Sequence, residues 1–155
     1  PLYAHKAGSV NGWCIEKDNG AVLAYGTLDP LFVVSGGPVR ATITGIVSTV
    51  IGGTSAGELI YTTTTPSANF SMNATSVAIT SDAAGTSYRN LGASSIFTPV
   101  TVGAVIIDPI TAQEASFILP IGTVSFSTNA AQTGNIKWYM TYEPLSPNSL
   151  VTVSP

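Results

Sequence analysis

Between Ile136 and Tyr142 the chain alternates with a period of two: Ile136, Trp138, Met140 and Tyr142 fall on one side of an extended backbone, and Lys137, Tyr139 and Thr141 on the other. Gly134-Asn135 supplies a turn before this segment, and Pro144, which cannot donate to a ladder, ends it. The pattern predicts a central strand with Ile136, Trp138 and Met140 in the core. The longest strand signal runs from Val39 to Ile51, where Val39, Ala41, Ile43, Gly45, Val47, Thr49 and Ile51 share one face. Ile43 and Val47 are therefore core candidates, and Gly45 is the expected place for such a long strand to bend. Leu31-Phe32-Val33-Val34 reads as a short buried strand ended by Gly36-Gly37-Pro38, and Thr123 to Thr128 directs Val124 and Phe126 inward.

Glu58 to Thr64 reads as the return strand of a hairpin that begins at the long strand and turns through the loop from Gly52 to Gly57. Further short strands are expected at Ser76 to Thr80, Thr86 to Leu91, Ile96 to Pro99, Val102 to Ile107 and Ala115 to Leu119. Leu150 to Val153 is either a last edge strand or a tail that docks on a neighbour. No helical period is sustained; the best candidate is one turn around Thr111 to Ala115. Many short strands with a turn signal about every ten residues mean an all-β fold, an antiparallel β-sandwich or jelly-roll-like barrel. Pro1 to Thr27 differ in texture, with charged residues set among glycines. They read as an extended N-terminal arm with strands at Trp13 to Glu16 and Ala21 to Tyr25 around the Asp18-Asn19-Gly20 turn, or as the first hairpin of the sandwich. The division expected is an arm over residues 1-27 and a single domain over 28-155.

Composition narrows the function classes. Only 8% of the 155 residues are charged while 45% are hydrophobic, and the mean hydropathy is +0.36. A surface built from Thr, Ser, Asn, Gly and Ala has little charge repulsion and suits an assembly. The net charge is −3, and Lys6, Lys17, Arg40, Arg89 and Lys137 are scattered. That spacing argues against a nucleic-acid footprint and against a basic membrane-surface helix. No apolar run approaches the roughly 18 residues of a membrane span. Cys14 is the only cysteine, so no intrachain disulfide can form, and beside Trp13 it reads as a small buried hydrophobe. No signal-peptide pattern opens the chain at Pro1. The sequons at Asn69 and Asn73 read as chance in a chain rich in Ser and Thr.

Catalytic chemistry finds little footing. His5, the only histidine, could form a dyad with Cys14, but no third residue would orient its ring. One Cys and one His cannot make a zinc site, and Glu16 with Asp18 reads as a solvated turn before it reads as a calcium site. Glu58, Asp82, Asp108, Glu114 and Glu143 flank turns or strand ends, where a solvated carboxylate is the simple reading and a glycosidase pair the special one. The loop from Gly52 to Gly57 lacks the lysine of a P-loop. No enzyme activity and no cofactor are expected. Trp13, Tyr25, Tyr61, Tyr88, Trp138 and Tyr139 offer a sugar-stacking platform as an alternative to core and interface roles.

Two segments resemble a known group. Leu31-Phe32-Val33-Val34-Ser35-Gly36-Gly37-Pro38-Val39 resembles the "LF-x-V-x-GGPV" opening of small structural proteins of tailed bacteriophages. Pro120-Ile121-Gly122-Thr123, followed by the run from Thr133 through Trp138 and Tyr142 to Pro144-Leu145, resembles their "P-x-GT" and "TG-x-x-x-W-x-x-x-Y-x-PL" ending. Asp82-Ala83-Ala84-Gly85-Thr86-Ser87-Tyr88 between them fits the same pattern. The resemblance implies a β-rich virion component of the decoration or cement type. Such a protein is made in the host bacterial cytoplasm, and it sits on the capsid surface with the major capsid protein as partner and a dimer or trimer as its own assembly. Apolar anchors are then expected at Leu2, Tyr3 and Trp13 in the arm and at Leu150, Val151 and Val153 in the tail. Rival expectations are a tail or fibre-associated phage protein that binds a host glycan, and a free carbohydrate-binding module.

Overall fold

The computed structural model describes residues 13–20, 22–23, 28–72, 77–89, 98–100 and 116–155. Among them the regular structure is β-strand alone, and two antiparallel sheets pack face to face as a β-sandwich. The first sheet runs β1 (Trp13–Asp18), β13 (Asn135–Pro144), β4 (Val39–Thr49), β8 (Ser87–Arg89), β9 (Thr98–Val100), with β10 (Phe117–Leu119) also on β4. The second runs β14 (Leu150–Val153), β3 (Asp29–Ser35), β11 (Gly122–Thr128), β5 (Ala56–Thr64), β6 (Ser67–Ser71), with β7 (Val77–Ala78) also on β5. A small separate ladder joins β2 (Val22–Leu23) to β12 (Gln132–Thr133).

Alternation along the strands builds the core. Ile43, Val47, Ile136, Trp138 and Met140 of the first sheet meet Phe126, Phe32, Val34, Leu59 and Val124 of the second, all buried. The expected core residues Ile43, Val47, Phe126, Ile136, Trp138 and Met140 all lie there. The indole of Trp138 is the hub, with Phe126 from the opposite sheet at 5.0 Å between ring centroids and Tyr88 stacked at 6.4 Å. Burying rings of this size stabilises the fold by on the order of 2–3 kcal/mol each.

Two of these rings rest where a neighbouring strand has no side chain. Trp138 pairs with Gly45, and a Cβ on Gly45 would come within 2.7 Å of the indole. Phe126 occupies the equivalent space over Gly57, also at 2.7 Å. Gly45 thus seats an aromatic ring, and no bulge interrupts the ladder there: the register between β4 and β13 is unbroken from Val47 to Val39.

Successive strands often change sheet. The connections β3 to β4, β4 to β5, β10 to β11 and β13 to β14 all cross the ends of the sandwich. The expected hairpin of the long strand with Glu58–Thr64 is therefore corrected: β5 pairs with β11 and β6 in the other sheet. The loop that separates them is held by main-chain bonds from Ile51 to the Asp82 carbonyl and from Gly52 to the Thr133 carbonyl, at 3.0 and 2.9 Å.

The N-terminal stretch is drawn into the sandwich from Trp13 onward. β1 pairs with β13 from Trp13↔Tyr142 to Asp18↔Lys137, so it forms neither a free arm nor a hairpin with β2. Leu150 to Val153 pairs with β3 as an edge strand. The expected strand at Val102 to Ile107, the helical turn at Thr111 to Ala115, and residues Leu2 and Tyr3 lie outside the described residues.

Candidate interaction surface

β1 and β14 end their respective sheets on the same side of the sandwich, and the two strands touch: the Lys17 ammonium donates to the Ser154 carbonyl at 2.8 Å. The structure thus brings together two groups of the expected contact residues. Trp13, 37% exposed, stacks on the buried Tyr142 ring with centroids 6.5 Å apart. Leu150 and Val153 are 49% and 40% exposed. Val151 is corrected from surface contact to core: it is 3% exposed, because its register partner Val34 faces inward and paired residues share a face. Leu145, next to the turn into β14, adds another exposed apolar side chain.

The polar groups on this side hold the two sheets together. Asn19, in the turn after β1, donates its main-chain N–H to the Ile136 carbonyl at 3.1 Å, accepts the Trp138 indole N–H, and donates its amide to the Asp29 carboxylate of β3. It therefore touches both sheets and satisfies the polar atom of the central core residue. Burial pushes the Asp29 carboxyl above the usual carboxylate range, against the opposing pull of the Asn19 bond and the Lys17 charge. Nothing in the sequence marks Asn19 beyond its turn position.

On the outer face of the first sheet, Glu16 lies 3.3 Å from Lys137 and raises the ammonium pKa through a hydrogen bond and its charge. Asp18 accepts the Gly20 N–H at 2.8 Å, which holds its carboxyl below the ordinary value. Glu16 and Asp18 are thus engaged in a pair and a turn. Among the described residues no group of three or more His, Cys, Asp or Glu converges as a metal site. Cys14 is exposed, because side chains 14, 16 and 18 of β1 face away from the core; the reading of a buried thiol is corrected.

The remaining acids are spread over the molecule. Glu143 pairs with Arg40 at 3.4 Å, Glu58 accepts from the Ser71 hydroxyl, and Asp82 accepts from the Tyr88 hydroxyl at 2.6 Å. Burial, then Asp82, pushes the Tyr88 phenol far above its ordinary value, and burial pushes Tyr61 up to about 12. Tyr61, Tyr88 and Trp138 are core residues, so they cannot stack on a sugar, and of the expected platform only Trp13 and the half-buried Tyr139 reach the surface among the described residues. His5, Tyr25, Asp108 and Glu114 lie outside the described residues. Arg89 is buried, and its Nε has no hydrogen-bond partner among the described residues; the sequence gives no sign of that burial.

The described residues thus define an antiparallel β-sandwich whose β1–β14 side exposes Trp13, Leu150 and Val153. No protein-family model, curated protein or solved structure matches the chain. No helix among the described residues is long and apolar enough to cross a membrane.

Proposed function

We propose that this chain is a capsid decoration protein of a tailed bacteriophage, a non-catalytic clamp that binds the outside of the assembled head and holds major capsid subunits together. The observation that carries the reading is the β1–β14 rim, where Trp13, Leu145, Leu150 and Val153 stand exposed on a rigid sandwich with few charges. The phage assignment itself rests on the sequence resemblance. A ligand that binds only the assembled lattice stabilises that lattice by mass action, and an apolar, weakly charged surface does so with a small desolvation cost.

Copy number in purified virions tests the reading. Quantitative mass spectrometry against the major shell protein should give a ratio within a few-fold of unity. A handful of copies would move the protein to a tail or fibre that binds a host glycan, and absence from the particle would leave a free carbohydrate-binding module. The contribution of Leu2 and Tyr3 is tested separately by removing residues 1–12, which spares β1 and the Asn19 contacts. Unchanged binding of that variant to emptied capsids would eliminate the leading residues as anchors.

A further inference from the structure

The side of the sandwich where β1 and β14 meet carries two strand edges of opposite design. A sheet edge presents N–H and C=O groups that template pairing with another strand, and charged or inward-pointing charged residues blunt it. β1 is blunted. Its Lys17 shares a face with the buried Trp138 opposite it and reaches the Ser154 carbonyl, while Glu16 and Asp18 line its other face. β14 carries no such protection: from Pro144 to Pro155 there is no charged residue. The Ser154 N–H donates to the Leu31 carbonyl at 2.9 Å, so by the alternation of an antiparallel ladder Thr152 turns its main-chain groups toward β3. Those of Val151 and Val153 point away, and no described strand pairs with that side of β14.

We infer that the outer edge of β14 pairs with the same edge of a second copy of this chain, antiparallel across a two-fold axis that passes between the two Thr152 residues. The occupant is a second copy because the edge is self-complementary. With Thr152 opposite its own counterpart, Val151 falls opposite the partner's Val153, and the outward main-chain groups of those two positions exchange a ladder's hydrogen bonds. No charge meets its like. Leu150 and Val153, exposed in the single chain, gain cover on the two faces of the joined sheet. An isologous pair consumes the open edge and closes, whereas a head-to-tail contact would leave one open edge at each end and propagate. The pairing concerns the free protein and takes Leu150 and Val153 out of the exposed rim, so in the dimer Trp13 and Leu145 are the side chains left to meet a capsid.

The test is the mass of the purified full-length chain by sedimentation equilibrium over a concentration series, with two variants. Val153→Pro removes an N–H that serves no bond to β3, and Thr152→Lys places like charges face to face at an exposed position. The wild type should be a dimer, and each variant should raise the dimer dissociation constant by about tenfold or more with the far-ultraviolet spectrum unchanged. A monomeric wild type overturns the inference, including one that dimerises only after residues 1–12 are removed, because the chain's own leading residues then cover the edge. A dimer that neither variant weakens also overturns it. Virion copy number is untouched by any of these results, so failure here and failure of the capsid reading are separately visible.

Discussion

Gly45 shows how far a single missing side chain can organise this core. Its strand neighbour Trp138 fills the space where a Cβ would stand, and the ring is fully buried between Phe126 and Tyr88, with no slack on either side. Gly45→Ala should therefore destabilise the fold by about 1–3 kcal/mol through overpacking, although alanine suits a strand better than glycine does. Urea denaturation reads the change as a lower midpoint with the slope unchanged, and a midpoint equal to wild type would show that the indole can shift without cost. Asp29 is the second telling residue. Its neighbours are the Asn19 amide and Lys17 from the β1 segment, and Phe126 lies opposite it on β11. With its carboxyl raised in the folded state, folding takes up a proton, so its contribution to stability is greatest below the ordinary value of 3.8. The contribution falls as pH rises from there through the raised value, and is flat beyond. Asp29→Asn keeps an oxygen to accept the Asn19 amide and removes the titration. The variant should lose that acidic-range slope and be the more stable protein at neutral pH, measured as denaturation midpoints across an acid-to-neutral series.

At the level of elements, alternation made the strands legible and left their partners hidden. The face shared by Ile136, Trp138, Met140 and Tyr142, and that shared by Val39, Ala41, Ile43 and Val47, could be read because a one-residue slip would turn every apolar side chain to solvent. Pairing was less visible. A loop of glycines between β4 and β5 looks the same whether it closes a hairpin or arches from one sheet to the other. The choice was made by residues far along the chain: Asp82 and Thr133 hold the loop, and β11 pairs with β5. The exposed β1–β14 rim is half legible for the same reason. Trp13, Leu150 and Val153 stand out in the sequence as apolar residues, but period two alone cannot say that Val151 faces the core until β14 is known to pair with β3. The exposure of Cys14 is not legible in the sequence, because burial of a cysteine depends on which face of β1 covers the core, and the flanking Trp13 gives no phase. The role of Asn19 depends on an indole more than a hundred residues away, which local turn chemistry does not encode.

At the scale of the molecule, the scarcity of charge governs how the protein meets any partner. The described ion pairs, Arg40 with Glu143 and Lys137 with Glu16, are exposed, and exposed pairs contribute little because water and salt screen them. Both also lie within the chain, so neither leaves a free cation to seek a partner's acid. Along β14 the groups on offer are apolar side chains and main-chain N–H and C=O, while Glu16 and Lys17 of β1 are engaged by Lys137 and the Ser154 carbonyl. Contacts of that kind are short-ranged and gain nothing from electrostatic steering. On the proposed decoration role, binding to emptied capsids should therefore vary by less than about threefold between roughly 50 mM and 500 mM sodium chloride, while a charge-dominated contact would weaken steeply over the same range. It should also carry a negative heat-capacity change, the mark of apolar burial. Titration calorimetry at several temperatures and two salt concentrations reads both quantities at once. A steep salt dependence with no heat-capacity change would move the docking surface away from the rim and toward the scattered charges of the outer faces.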